Sequence, residues 1–194
     1  MLSFFLCVKR IGRFKIMEKI LGLDISSSTI GWAVIESEEK FCLKEYGHIK
    51  PSRKLKGTEK LSDAYDKIKK LIKEVNPDII CVEKYASKFS RGRSSANTII
   101  VLSTYNEMVS LCSFREFGIH TTAYAPVSIR SEMSKHFDKK IKSKDDAFDF
   151  VKNNIENFKT TLNRVNNIKK ECYDESDAVC VALCYHIKKL KKGV

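Results

Sequence analysis

The sequence predicts an α/β fold built on a five-stranded mixed sheet, three antiparallel strands followed by two parallel ones, flanked by helices. Three observations carry that expectation. Three extended segments come first with only short turns between them, and helix-period and strand-period segments alternate afterwards. Two of the strand segments are also continuous apolar runs that stop on an acid: Ile20 to Leu23 before Asp24, and Ile79 to Val82 before Glu83. A strand without polar alternation is buried on both faces, which places it inside a mixed or parallel sheet.

Each element has a local reason. Lys19 to Ser26 and Gly31 to Glu36 read as strand, tight turn, strand, because small hydroxyl residues separate two apolar runs; Phe41 to Ile49 extends the set. A helix is expected from Thr58 to Val75, with Leu61, Ile68, Leu71, Ile72 and Val75 on its inner stripe and Pro77 closing it. The Glu83 strand follows. A long helix over residues 95–117 ends at Gly118, and Ile119 to Tyr124 supplies the fifth strand. Helices at Pro126 to Lys135, Ser143 to Glu156 and Tyr173 to Leu190 complete the order.

The acids are the chemical signal. An acid at the carboxyl end of a buried strand lies where open α/β sheets place ligands. Asp174 and Asp177, in "YDESDAVCVA", are three apart at a predicted helix start and share a face. Carboxylates crowded together repel by about 4 kcal/mol per pair at about 4 Å in an effective dielectric near 20. Such a group takes up protons or binds a cation, and magnesium, which prefers oxygen ligands, is the natural partner. Each acid also has a plain structural reading: Asp24 and Glu83 as strand-end residues, Asp174 and Asp177 as a helix N-cap and its third-position partner.

The chain resembles the RuvC family of Holliday-junction resolvases, especially the versions carried by bacteriophages, within the ribonuclease-H-like superfamily. The resemblance runs from about Lys19 to His186 and rests on "ILGLDISSSTIGWAVIE", "PDIICVEKY" and "YDESDAVCVA". Its first motif is also similar to the opening strand of the RuvC nuclease domain in Cas9-type effectors. What the resemblance implies is a ribonuclease-H-like architecture in which Asp24, Glu83, Asp174 and Asp177 converge as catalytic metal ligands for two magnesium ions, with manganese able to substitute. It further implies paired nicking of four-way DNA junctions by a two-fold dimer. One departure is visible: many relatives carry Pro-Gly or Ile-Gly after the first Asp, whereas this turn reads Ile25-Ser26-Ser27-Ser28. The turn also resembles the phosphate-binding turn of sugar kinases and actin-like ATPases, but the eight glycines supply no second Gly-rich loop.

Candidate DNA contacts follow. The segment after Glu83, "KYASKFSRGRSSAN", is basic and Ser/Gly-rich, which suits a loop approaching a phosphate backbone and offers Lys88, Arg91 and Arg93. By similarity to an aromatic that family members carry after the catalytic Glu, Tyr85 or Phe89 is a wedge between bases; both could equally be core anchors. The resemblance places Arg130, Lys142 and Lys144 near the scissile phosphate, against the alternative of a solvated helix face.

Composition agrees. With 36 Lys and Arg against 24 Asp and Glu, the net charge is +12, which suggests a polyanionic partner such as nucleic acid. At 194 residues the chain can bury a sizeable core as one domain, expected over 17–194. Residues 1–16 are either an upstream start-codon artefact or a basic arm. Their apolar stretch is too short to span a bilayer, and its basic residues follow it, the wrong polarity for a secretory signal. Seven scattered cysteines argue for a reducing, cytoplasmic setting, and Cys172, Cys180, Cys184 and His186 read as buried groups, not a zinc site.

The 95–117 helix is apolar on most sides, from Ile99 to Phe117. Packed against a sheet it leaves an apolar surface, so a homodimer through this helix is expected unless the C-terminal helices cover it. Three function classes remain: a junction-resolving endonuclease, a related metal nuclease acting on forks, flaps or RNA-DNA hybrids, and a branched-DNA-binding protein with little catalysis.

Overall fold

The structure, a computed structural model, describes residues 17–84 and 96–192. Its sheet has the order β3-β2-β1-β4-β5, formed by β1 (Glu18–Ile25), β2 (Ile30–Ser37), β3 (Phe41–Ile49), β4 (Ile79–Glu83) and β5 (Thr121–Tyr124). The first three strands pair antiparallel, and β4 joins β1, and β5 joins β4, in parallel. The expected mixed sheet is therefore present. A four-residue turn joins β1 to β2, and the Ser26 hydroxyl closes it by donating to the Thr29 carbonyl at 2.6 Å while accepting from the Thr29 N–H at 3.0 Å.

Strand alternation divides the core. Leu21, Leu23, Ile25, Ile80 and Val82 face one way, onto α1 (Gly57–Val75) and α2 (Ala96–Phe117). Ile20, Ala33, Ile35 and Cys81 face the other way, onto α3 (Pro126–Phe137), α4 (Lys144–Asn154) and α5 (Glu171–Lys192). The C-terminal helices thus lie on the far side of the sheet from α2 and do not cover it.

Several limits differ from expectation for local reasons. Helix α1 closes at Asn76 in the left-handed region, its N–H bonded to the Ile72 carbonyl, and Pro77 follows. Ala64 joins its buried stripe while Leu61 is only half-buried. Strand β5 begins at Thr121, since the Ile119 N–H is still engaged by the Ser113 carbonyl at the end of α2. Helix α5 begins at Glu171, two residues early, so Asp174 and Asp177 lie inside it and the N-cap reading fails.

The two glycines of the first hairpin decide how α5 sits. A Cβ on Gly31 would lie 2.0 Å from the Asp174 carbonyl oxygen, and one on Gly22 would lie 2.3 Å from that of Ala178. Only a bare backbone at these points lets the helix lie directly on β1 and β2. Small residues on the helix, Ala178 and Ala182, are fully buried there. No helix among the described residues is long and apolar enough to cross a membrane.

A carboxylate cluster at the carboxyl end of the sheet

Register brings the first two acids together. Leu23 pairs with Val82 across the parallel β1/β4 ladder, so the next residues, Asp24 and Glu83, stand at the carboxyl ends of neighbouring strands. Alternation points both towards the α5 side of the sheet. Asp24 also pairs with Gly31, the residue against which the Asp174 backbone rests. The same close approach that needs glycine therefore delivers the first turns of α5 to Asp24.

The side chains feel one another. Burial raises the Asp24 carboxyl well above its ordinary value, and the negative charges of Asp177, Glu83 and Asp174 raise it further, against the Lys144 ammonium. Burial and Asp177 push Glu83 up to about 7, opposed by Lys144 and Arg130. Asp177 and Asp174 are raised chiefly by burial, with Lys144 opposing in both. Four acids from three separated segments thus share one environment.

Lys144 is the internal counter-charge. Its Nζ lies 2.5 Å from Asp177 Oδ2 and 3.7 Å from Asp174 Oδ1. Burial disfavours this ammonium, but Asp177, Asp24 and Asp174 outweigh burial and raise its pKa. A capping box fixes its place: the Ser143 hydroxyl accepts from the Asp146 N–H at 3.0 Å, and Asp146 Oδ2 accepts from the Ser143 N–H at 2.9 Å. Lys144 is then the first helical residue of α4, aimed at the first turns of α5.

Among the described residues, no three His, Cys, Asp or Glu side chains are already gathered into a coordination shell. The donor chemistry nonetheless suits a hard divalent cation, since all four groups offer carboxylate oxygen and the Cys180 thiol beneath them is held protonated. Burial and the charges of Asp177, Glu83 and Asp24 push the Cys180 thiol up.

The other sequence-based candidates divide. Arg130, on α3, lies close enough for its charge to act on Glu83 and Asp177. Lys142 is exposed just before α4, and its backbone N–H donates to Asp146. Tyr85, Lys88, Phe89, Arg91 and Arg93 lie outside the described residues. The buried-group reading of the cysteines agrees with Cys172, Cys180 and Cys184 being free and buried; His186 is spent on a 2.7 Å hydrogen bond to Ser37. One contact had no sequence signal. His48 Nδ1 meets Glu175 Oε1 at 2.7 Å, tying β3 to the residue beside Asp174 across 127 positions.

A mixed sheet of this order, with helices on both faces, is the ribonuclease-H-like fold. Residues 20–185 match the family model described as crossover junction endodeoxyribonuclease RuvC. The chain belongs to the RuvC family. It is 29% identical to the protein of that name from Wolbachia sp. subsp. Brugia malayi, with 87% of this chain and 94% of that protein covered. A Fusobacterium nucleatum protein of the same name is 23% identical, but the match covers 58% of this chain and 56% of that one. The fold is similar to that of Thermus thermophilus RuvC solved with a Holliday junction substrate, at TM-score 0.65 and 15% identity over 90% of this chain and 96% of that one.

Proposed function

We propose that this protein is a structure-specific DNA endonuclease that resolves four-way junctions by paired, symmetric phosphodiester hydrolysis. In this reading two divalent cations, magnesium in the first place, are held by Asp24, Glu83, Asp174 and Asp177, and the active species is a homodimer formed through α2. The observation that carries it is the convergence of four half-buried carboxylates, each raised chiefly by burial, at one end of the sheet in a member of the RuvC family. The junction bound to the Thermus thermophilus relative supports the choice of substrate.

When bound, divalent cations supply Lewis-acid polarisation of phosphoryl oxygens and a nucleophilic water at neutral pH. The chain's own residues do the rest. Strand register sets the backbone positions of Asp24 and Glu83, and the seat of α5 on Gly31 and Gly22 sets those of Asp174 and Asp177, so the four acids are carried on rigid elements. Lys144 pairs with Asp177, with Asp174 next to it, in the free protein, and in this reading it turns towards a phosphate oxygen once those acids are engaged. Arg130 adds positive charge beside Glu83 and Asp177, where a phosphodiester gathers negative charge during cleavage. The apolar outer face of α2 supports the dimer, which presents two equivalent sites to two equivalent strands of a junction.

The deciding assay incubates the protein with a synthetic four-way junction, a fork, a linear duplex and an RNA-DNA hybrid, each with magnesium or with EDTA. Paired nicks restricted to the junction, and only with metal, are the expected result. Preferential cutting of forks or hybrids would instead assign the site to a related nuclease activity, and binding without cutting would remove the enzyme from this reading.

A further inference from the structure

Between α4 and α5 the chain builds a small hairpin that the carboxylate site does not explain. Leu162 and Ile168 form an antiparallel bridge. The Asn163 N–H donates to the Asn167 carbonyl at 2.8 Å, and Asn163 Oδ1 accepts from the N–H groups of Val165 and Asn167 at 2.9 and 3.0 Å. Asn166, at φ +57°, turns the tip. Its backbone bonds are internal, so the loop has a defined shape.

The base of the hairpin is bolted to the body. Phe158 is buried against the Tyr46 ring, with centroids 4.8 Å apart. The Tyr46 hydroxyl donates to the Lys159 carbonyl at 3.0 Å and accepts from the Lys159 N–H at 2.8 Å. The Lys169 N–H donates to the Thr161 carbonyl at 2.9 Å. Two residues later α5 begins, with Glu171 paired to Lys50 and Asp174 one turn on. The hairpin therefore stands on the β3 side of the cluster, rigidly coupled to the helix that carries two of its acids. The charge of Lys170 is felt at Asp174.

Its surface has a consistent character. Residues 155–170 contain four basic residues, Lys159, Arg164, Lys169 and Lys170, and one acid, Glu156. All four basic side chains are exposed, and none has an acid within ion-pair distance among the described residues. At the tip Arg164 stands between two exposed apolar side chains, Leu162 at 53% and Val165 at 72%. Unpaired cations on a fixed scaffold match a row of phosphates, and apolar groups beside them match the deoxyribose walls of a groove. A protein partner with an apolar pocket would fit the tip but would leave the cations at the hairpin base unexplained.

We propose that the 159–170 hairpin is a second DNA-contacting element, which grips the sugar-phosphate backbone of one duplex arm while the carboxylate cluster engages the strand to be cut. This rests on the nuclease reading above and adds to it the residues that hold an arm. Binding of the full chain to a fluorescent four-way junction in EDTA, across a salt series, tests it with two variants: Arg164→Ser/Lys169→Ser, and Leu162→Ser/Val165→Ser. For the first, junction affinity should fall by about 10-fold at moderate salt, and the slope of log affinity against log salt should flatten by about 0.9 for each phosphate no longer neutralised. The second should weaken binding with the slope unchanged. Thermal melting and single-turnover cleavage at saturating protein should stay near wild type in both, because the altered side chains are exposed and outside the cluster. Wild-type affinity and slope in the Arg164→Ser/Lys169→Ser variant would overturn the proposal and assign the tip to a protein partner, while leaving the nuclease reading intact. Failure of the wild-type chain to bind or cut any branched DNA would instead be a failure of the nuclease reading itself.

Discussion

Helices α2 and α5 are both 22 residues long and lie on opposite faces of the same sheet, yet twelve residues of α5 are buried against six of α2. Mean apolarity does not explain the contrast, because the sequence of α2 is the more hydrophobic of the two. Small residues do. Gly22 and Gly31 in the sheet and Ala178 and Ala182 in the helix let α5 sink onto β1 and β2, and α3 and α4 then enclose its other sides. Helix α2 presents Tyr105, Met108, Val109 and Cys112 inward but leaves Ile100, Leu111 and Phe114 more than half exposed. One face of the sheet is finished within the chain and carries the carboxylate cluster; the other is left half-covered, as the proposed dimer requires.

The largest expected effect lies on the finished face. Asp24→Asn should lower junction cleavage by at least on the order of 10²-fold to 10³-fold, as expected when a group that stabilises the transition state is removed. It should leave the melting temperature equal or higher, because it removes a buried carboxylate whose charge its neighbours oppose. Loss of folding in this variant would show that Asp24 holds the hairpin together, and would break the separation of packing from chemistry. Melting and single-turnover rates measured on one preparation decide it.

Gly31→Ala probes the seat of α5 directly. The added methyl meets the Asp174 backbone at 2.0 Å, where no flexible side chain can give way. Overpacking of this kind costs about 3 kcal/mol, and the shift of α5 should lower cleavage as well, because Asp174 and Asp177 move with the helix. Denaturant unfolding and cleavage assays would both change. Stability lost with full cleavage retained would mean that the cluster tolerates a displaced helix.

Much of this was legible in the sequence, and the failures have physical causes. Asp24 and Glu83 could be located because apolar runs ended on them, and Asp174 with Asp177 because their spacing puts them on one helical face. That the four converge followed from family resemblance, since spacing within each motif says nothing about tertiary approach. Lys144 was a candidate phosphate contact, but its pairing with Asp177 depends on where a capping box starts α4. The His48–Glu175 contact had no local signature at all. The 159–170 hairpin was invisible for a different reason: it has one bridge and no alternating strand, and side-chain bonds from Asn163 hold it instead of a ladder.

On the half-covered face, Leu111→Ser/Phe114→Ser should convert a dimer to a monomer without destabilising the folded chain, since both side chains are exposed in one copy. Light scattering over a concentration series reads the first effect and thermal melting of the dilute protein the second. A monomeric wild type would refute the assignment of α2 as the dimer surface. A melting temperature that falls with the double substitution at low concentration would show that α2 is covered within the chain after all, and would remove the contrast between the faces.

The smallest expected effect tests whether the finished face is finished without metal. Glu83 is raised to about 7 and Asp24, Asp174 and Asp177 are raised as well, each chiefly by burial. Acids that hold protons more tightly when folded make the folded state most favourable at low pH. For Glu83 the unfolded chain releases its proton near 4.5 while the folded chain keeps it to about 7, so its contribution to stability is lost as pH rises across that window. Above the window the cluster stays ionised and the cost persists, relieved in part by Lys144. In EDTA the melting temperature should therefore decline between about pH 5 and about pH 7, apart from changes elsewhere in the chain, and the Asp24→Asn/Glu83→Gln variant should decline less. Magnesium should raise the wild-type melting temperature more at about pH 8 than at about pH 5, because only the ionised cluster gains from a cation, and should scarcely move that of the variant. An equal magnesium effect in both proteins would place the ion elsewhere, and would leave the carboxylates as a packing feature stabilised by Lys144 and the neighbouring cations.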